Sequence, residues 1–439
     1  MNLARVLLLL GLTIPVFAQY AGPAILTRGE VPAAMVAPQV EFRPYLELLG
    51  VYDTGLAGVG VVDPQGDLGN TASFGMEATG GISGVHSWKH TTVGLDYRLS
   101  LRHYTHTTYY DGLDQALMLG VTHRLTRHAT LTLRESAGQY SRDYGLLGLS
   151  EAVPFDPSTS YIPSTDFFDN RTIYLSTQAD LTYQKTARLS FDIGGDGFLV
   201  RRRSSALYGV TGAAARGDVQ YRITRHTTIG ADYSYTNFDF TGVFSGTDLH
   251  SMTAAYAVRL SRTVEFSAYG GAMRVETKFL QSVPLDPVIA ALIGQTSGIV
   301  VSYHVNYVPD FSGRLSKTFH HGVAYLAGGH TVTPGNGLFL TSAISSVTAG
   351  YTYTGLRHWS FNTAAGYEKA KSISNVIGYY GGYSGALTVS RQISRSVHAL
   401  LSVDARKYQS NDFTRYNRLI YGVRIGLGFS PGDIPLRVW

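Results

Sequence analysis

Apolar and polar residues alternate one by one over long stretches of this chain. Between residues 93 and 101, the odd positions are apolar and the even positions are polar or glycine. Successive side chains of a β-strand point to opposite faces, so this period predicts strands with one apolar and one polar face. The same pattern recurs, once with a threonine on the apolar side, at residues 173–183, 189–194, 229–235, 359–368 and 419–429.

The composition favours lipid rather than water against the apolar faces. Charged residues make up 15% of the chain, against ~25% in an average soluble domain, and the chain has 30 Tyr and 49 Gly. The apolar faces are rich in tyrosine towards their ends, which is typical of a lipid-facing band between aromatic girdles. No segment after the N-terminus approaches 18 uninterrupted apolar residues, so we expect no transmembrane helix. A closed barrel remains, because open sheet edges cannot lie in lipid.

A short basic turn repeats along the chain. Its centres lie near residues 88, 127, 186, 225, 262, 318, 357 and 395, and most intervals are 37 to 39 residues. That spacing accommodates two strands of about 15 residues and one loop. Segments 150–170 and 281–296 lengthen two of the intervals. The clearest turns are 125–129, 223–227, 260–264, 315–319 and 393–397, with looser copies at 86–90, 184–188 and 355–359.

Eight short turns, with both chain ends on their side, predict nine hairpins. We therefore predict an all-β fold, a transmembrane antiparallel up-and-down β-barrel of about 18 strands at residues 41–430, with sixteen strands as the alternative. The first strand is expected near residues 42–55 and the last near 415–430. Pro309 lies inside a strand pattern and removes a ladder hydrogen bond, so we expect it to mark a bulge or an error in the strand count.

The N-terminus predicts export. Arg5 precedes an apolar stretch at residues 6–17, and small residues at Val16 and Ala18 predict a signal peptide of residues 1–18. An uncleaved anchor is the alternative, but the stretch is short for a membrane-spanning helix. We interpret residues 19–40 as a periplasmic N-terminal tail. The chain has no cysteine, which excludes a lipid anchor, disulfides and thiolate metal sites.

The last residues, 431–439, predict a C-terminal tail ending in an aromatic residue. Barrel proteins commonly end on an aromatic residue that the assembly machinery reads, and this chain ends on Trp439. Pro431 and Pro435 interrupt the alternation before it. The assembly signal is therefore either Trp439 or the strand that ends at Phe429.

Polar side chains within the strands predict the lining of the lumen. About eighteen strands leave room for water inside the barrel. Charges of both signs indicate either a polar channel with crossed internal fields or a lumen filled by ion pairs that hold the barrel's shape. The predicted lumen residues are Asp96, Arg98, Arg102, Gln178, Asp180, Asp192, Asp232, Arg259, Glu265, His304, Asn306, Arg314, Glu368, Asp404, Arg406, Arg418 and Arg424.

No catalytic, cofactor or metal site is predicted. His103 and His106 are three residues apart and so point to opposite faces of a strand, and the neighbouring side chains of residues 320–321 diverge. The pairs Asp111–Asp114 and His304–Asp310 are coincidences expected among 14 His and 31 acidic residues. The many glycines alternate within strands and form no phosphate-binding loop. Because the arginines are scattered, we also expect no nucleic-acid partner.

Two short motifs resemble a known family. Residues 41–55, EFRPYLELLGVYDTG, resemble the opening strand of the putative β-barrel porins, type two. Residues 426–436, GLGFSPGDIPL, are similar to the end of related acidobacterial barrels. The resemblance implies an outer-membrane channel of Gram-negative type, associated in some members with exopolysaccharide production and export. It implies no catalytic residues.

We therefore predict a non-enzymatic bacterial outer-membrane barrel, a porin-like channel for small solutes or saccharides. The alternative is a non-porous structural or adhesive barrel that acts through its extracellular loops. The expected partners are outer-membrane lipid, lipopolysaccharide and the barrel-assembly machinery. Residues 201–203, three consecutive arginines at a strand end, are either solvated or attract anionic lipopolysaccharide or solutes.

Overall fold

Eighteen antiparallel strands form one closed sheet. The computed structural model describes residues 43–54, 72–106, 111–140, 172–202, 207–335, 337, 340–373, 379–410, 417 and 419–430. The predicted signal peptide, both predicted tails, the segment 150–170 and Arg418 lie outside these residues. The predicted fold class and strand count are confirmed.

The strands are β1 (Arg43–Asp53), β2 (Ser73–Ser87), β3 (Thr91–Tyr104), β4 (Gly112–Arg124), β5 (Ala129–Tyr140), β6 (Thr172–Gln184), β7 (Leu189–Arg202), β8 (Gly209–Arg222), β9 (Thr227–Thr241), β10 (Ser245–Arg259), β11 (Val264–Pro284), β12 (Ser297–Phe319), β13 (Gly322–Thr333), β14 (Ser342–Tyr353), β15 (Trp359–Ser372), β16 (Tyr379–Gln392), β17 (Val397–Ser410) and β18 (Leu419–Phe429). One short helix, α1 (Pro287–Ile293), joins β11 to β12. No helix among the described residues is long and apolar enough to cross a membrane.

The first and last strands close the sheet. β1 pairs with β2 on one side and with β18 on the other, from Leu46 opposite Phe429 to Asp53 opposite Gly422. Each strand therefore has two neighbours, and the described sheet has no edge strand. β1 begins and β18 ends at the side of the barrel where the short turns lie, as the sequence predicted.

A hydroxyl group explains why the short turns repeat. Thr126 Oγ1 accepts hydrogen bonds from the backbone N–H groups of His128 and Ala129, at 3.1 and 3.0 Å. Thr186 and Thr224 accept equivalent bonds in their own turns. Each hydroxyl holds a local backbone turn that then needs no long-range contact. Because these hydrogen bonds are local, the short turns can be predicted from the sequence.

One predicted turn is wrong. Residues 315–319 belong to the end of β12, and the chain reverses at residues 320–321, with Phe319 opposite Gly322. The basic pattern there reflects a strand end, where the Lys317 ammonium lies 5.0 Å from the centre of the Phe319 ring. The other seven predicted turns lie between strands.

Pro309 neither marks a bulge nor alters the strand count. The β11–β12 register runs through it without interruption, with Pro309 opposite Ala272. The pairing of β12 with β13 begins only at Phe311, opposite His330. Pro309 thus lies beyond the second ladder, on an unpaired stretch of strand edge, where a missing N–H breaks no ladder bond on that side.

The outer face of the barrel is an apolar surface between two groups of aromatic rings. Leu48, Met76 and Ile193 are 56%, 72% and 69% exposed. At the short-turn end, the rings of Phe319, Tyr351, Tyr353, Trp359 and Phe361 are consecutive neighbours. At the long-loop end, Tyr52 packs between Phe74 and Tyr421. Aromatic girdles flanking an apolar band are typical of barrels that cross a bilayer.

The alternation changes phase near the long-loop end of several strands. In β9, Ile229 and Tyr233 are exposed, whereas further along the strand Phe238 and Phe240 are buried on the other face. The outward positions beside them are Asn237 and Asp239. The same exchange occurs in β10 and β11, where Asp248 and Arg274 replace apolar outward residues. The change indicates where these strands leave the apolar environment.

A glycine permits the close approach of β1 and β18. A Cβ atom at Gly426 would collide with the Leu48 carbonyl oxygen and lie 2.8 Å from Leu49 Cα. Both are backbone atoms, so the collision cannot be relieved by a side-chain rotation. Gly120 on β4 is the matched case, because a Cβ there would meet nothing within 4 Å.

We predict that Gly426→Ala impairs closure of the barrel and that Gly120→Ala does not. Overpacking of this kind costs about 1–3 kcal/mol. The check is the fraction of purified protein that migrates as a compact barrel on an unheated SDS gel. That fraction should fall for Gly426→Ala and stay at the level of the unmodified protein for Gly120→Ala. Equal fractions for the two variants would contradict the steric argument.

Candidate solute pathway

Contacts that skip a strand identify the inner face of the barrel. The Tyr104 hydroxyl of β3 donates a hydrogen bond to Asp53 Oδ2 of β1 at 2.5 Å, across β2. Ser251 of β10 likewise donates to Asp310 of β12 at 2.5 Å, across β11. Side chains of non-neighbouring strands converge only on the concave side of a closed sheet. The face that bears the polar residues is therefore the inner one.

The strand registers place the predicted lumen residues on this face. Through the cross-strand pairs, these residues lie on the same face as the inward residues named above. Several of them, including Arg102, Asp192 and Arg424, are buried. Arg418 lies outside the described residues. The residues placed on the inner face are Asp96, Arg98, Arg102, Gln178, Asp180, Asp192, Asp232, Arg259, Glu265, His304, Asn306, Arg314, Glu368, Asp404, Arg406 and Arg424.

An ion-pair network lies at the closing seam. The Arg424 guanidinium is 2.9 Å from Asp404 Oδ1 and 3.7 Å from Asp53 Oδ1. Asp53 and Asp404 flank Gly422 in one row across β1, β18 and β17. A Cβ at Gly422 would lie 2.5 Å from Asp53 Oδ1 and 2.9 Å from Asp404 Oδ1. The glycine therefore leaves the space in which two carboxylates converge on one arginine.

Two further networks follow the same plan. Arg102 of β3 contacts Glu77 Oε2 at 2.7 Å and Asp114 Oδ2 at 3.6 Å, so one arginine joins carboxylates of both neighbouring strands. Arg216 of β8 contacts Asp180 of β6 across Gly194, which occupies the same row on β7.

The third network includes two more polar groups. Asp196 Oδ1 lies 3.7 Å from Arg216, and the Gln178 amide donates to Asp180 at 2.9 Å. A carboxylate without its arginine would be expensive to bury here. The three networks thus hold charges within the barrel wall.

Sequence reasoning missed several members of these networks. Arg216 lies in β8, where the run of small residues at 212–215 hides the alternation. Glu77 lies in β2, which is rich in glycine. Each short turn determines which alternate residues of its two strands point inward. Taking every second residue from the turns would therefore have placed Arg216 and Glu77 on the inner face.

An apolar cluster occupies the inner face at the long-loop end, where the sequence predicted a polar lining. It exists because the alternation of β7, β9, β10 and β11 changes phase there. The segment 334–341 between β13 and β14 reaches into this cluster through Leu340. Its members are Tyr174, Phe198, Val200, Val210, Phe238, Phe240, Leu249, Met273, Val275, Val332 and Leu340.

Two polar contacts hold the segment 334–341 across the inner side. Thr341 Oγ1 shares a 2.5 Å hydrogen bond with Thr247 Oγ1 of β10. The Tyr208 N–H donates to the Gly337 carbonyl at 3.1 Å. β10 and the β7–β8 connection are several strands away from β13 and β14 in the sheet. Gly337, Leu340 and Thr341 therefore lie on the inner side of the sheet at the long-loop end.

The histidines assemble no metal site. His103 Nδ1 lies 2.6 Å from Asp111 Oδ2, with His103 largely exposed, and His106 Nδ1 lies 2.8 Å from the Thr105 hydroxyl. His304 stacks on Phe279 with ring centres 5.3 Å apart, whereas Asp310 binds Ser251. Among the residues that the structure describes, no group of three or more His, Cys, Asp or Glu could hold a metal ion.

No protein-family model matches this chain, and no curated protein matches it. The family resemblance of the two short motifs therefore stays a prediction. Solved structures similar to this chain include Pseudomonas aeruginosa OpdQ, at 10% identity and a TM-score of 0.41, covering 90% of this chain and 100% of that one. Another is Acinetobacter baumannii OccAB4, at 10% identity and a TM-score of 0.40, covering 90% and 98%.

We predict that Arg424→Met destabilises the barrel by about 3–5 kcal/mol, because it leaves Asp53 and Asp404 buried without a counter-charge. Guanidinium unfolding of the micelle-bound protein, followed by tryptophan fluorescence, measures the loss. Arg259→Met is the matched control, since the Arg259 side chain is 33% exposed and its bond to Glu265 is worth about 1 kcal/mol or less. Adding Asp53→Asn and Asp404→Asn to Arg424→Met should recover most of the loss. Equal losses for the two arginine variants would contradict the assignment.

Proposed function

We propose that this protein is a channel of the bacterial outer membrane that passes small polar solutes. The observation that supports it is the closed 18-stranded barrel with an apolar outer band and a polar inner face. An apolar band between aromatic rings suits lipid, and the predicted signal peptide suits export to the outer membrane. Eighteen strands enclose more space than side chains of one wall can fill. Lipopolysaccharide and the barrel-assembly machinery are the partners that such a location implies.

The test is single-channel conductance of the purified, folded protein in planar bilayers. We expect stable, stepwise openings in potassium chloride. The folded state is checked on the same sample by its unheated gel mobility, and protein denatured by heat is the control. A silent sample that is correctly folded would overturn the channel. The exopolysaccharide association implied by the resemblance stays a prediction that this measurement does not address.

A non-porous interaction barrel is the second candidate, and the β11–β12 hairpin favours it. β12 is unpaired with β13 from Ser297 to Asp310, and near its start both faces are exposed, with Val300 and Val301 at 43% and 44%. At the tip, Leu292 of α1 is 80% exposed. Isolated two-stranded hairpins are marginally stable in water, so this one would gain from a partner. A silent, folded barrel whose cell-surface adhesion is lost on deleting residues 283–298 would favour this reading.

We predict that Leu340→Asp raises the single-channel conductance. A carboxylate placed in the apolar cluster has no partner there, so the segment 334–341 should leave its inward position. Leu340→Met preserves volume and apolarity and is the control, with an unchanged conductance expected. A conductance unchanged or lowered in Leu340→Asp would show that the segment does not narrow the path.

A further inference from the structure

One sector of the inner face is almost free of charge. Within the described chain, the inward positions of β13, β14 and β16 bear no charged side chain, and those of β15 bear one, Glu368. Hydroxyl and small residues occupy most of them. The inward residues of β14 are Ser342, Ile344, Ser346, Thr348, Gly350 and Thr352, and those of β16 with described side chains are Gly382, Ser384, Ala386, Thr388, Ser390 and Gln392.

Three networks of charges on the other strands are held within the wall. In the networks of Arg102, Arg216 and Arg424, no side chain is more than 13% exposed. Arg314 of β12 lies next to this sector and is 6% exposed. Its Cζ atom is 4.8 Å from the centre of the Tyr325 ring. A passing solute therefore contacts these charges less than it contacts the inner face of β13 to β16, which we call the hydroxyl sector.

The hydroxyl sector contains a hollow. Thr348, Gly366 and Ser384 form one row across β14, β15 and β16. A Cβ at Gly366 would lie 3.4 Å from Ser384 Oγ and 3.6 Å from Thr348 Oγ1, so the glycine leaves a space between two hydroxyls. Both residues are half-buried, and neither hydroxyl has a hydrogen-bond partner in the described part of the chain. Ser346 lies one inward position further along β14.

These hydroxyls suit one chemical class of solute. Each can donate one hydrogen bond and accept two, which matches the hydroxyl groups of a polyol or saccharide. A charged solute in the same place loses hydration, which is costly, and the one charged inward residue of these strands, Glu368, already has a contact of its own. The hollow at Gly366 gives room for a solute hydroxyl between the two side chains.

We propose that the channel favours small neutral, hydroxyl-rich solutes and that Thr348 and Ser384, flanking Gly366, bind them during passage. The proposal rests on the channel function proposed above and adds the solute class and the contact residues. It also implies weak ion selectivity, because the charges of the Arg102, Arg216 and Arg424 networks are paired.

Proteoliposome swelling with glucose, gluconate and glucosamine tests the solute class. These solutes have similar size and differ in charge. We expect glucose to enter faster than either charged analogue, and we expect the reversal potential in a potassium chloride gradient to give a permeability ratio within about threefold of unity. Faster entry of a charged analogue, or a permeability ratio above about tenfold, would overturn the proposal while leaving the channel intact. A silent, folded barrel would overturn both.

Two variants test the contact residues. Thr348→Val with Ser384→Ala removes both hydroxyls at nearly constant volume, and it should slow glucose entry about two- to fivefold while leaving potassium chloride conductance unchanged. Thr122→Val, at an inward position of β4, is the control and should change neither. Ser384→Lys should shift the reversal potential towards anions, since it adds a charge to the path. Unchanged glucose entry in the double variant, or an unchanged reversal potential in Ser384→Lys, would overturn the assignment.

Discussion

The pairing of β1 with β18 is the interaction on which the rest of this structure depends. Backbone groups in lipid have no water to bond, so a sheet can cross a bilayer only when its two edges meet. Here the meeting strands are at opposite ends of the chain, and the Thr54 hydroxyl bonds to the Tyr421 carbonyl across 367 residues of sequence. Gly426 allows the backbones to approach, and Arg424 joins Asp53 to Asp404 over the seam.

The inner networks show how a barrel wall can hold charge without presenting it freely. In two of the networks, a glycine on the middle strand of three lies between two charged residues in the same row. The charged side chains of the two flanking strands therefore meet over the glycine. The arginine compensates the carboxylates, and the exposure of each group stays low. The remaining inner surface, on β13 to β16, is then chemically distinct. The Thr348 and Ser384 hydroxyls on this surface carry the proposed preference for neutral solutes.

The two ends of the barrel differ in the residues that line their inner faces. At the short-turn end, local turn bonds close each hairpin tightly. At the long-loop end, the apolar residues of β7 and β9 to β11 lie on the inner face, and Leu340 packs among them. A polar lumen and a narrowed apolar end therefore coexist in one barrel. The Leu340 variants separate these two regions experimentally.

The sequence by itself determined the alternating strands, seven of the eight short turns and the strand count. These features depend on a period of two and on turn bonds within a few residues, both of which are local. Only the tertiary structure decided that the turn after β12 is at residues 320–321, that Pro309 lies beyond a ladder, and that Arg424, Arg102 and Arg216 each bind two carboxylates. It also decided the inward packing of the segment 334–341. Such contacts depend on the register between strands and on closure of the barrel, which join residues that are far apart in the chain.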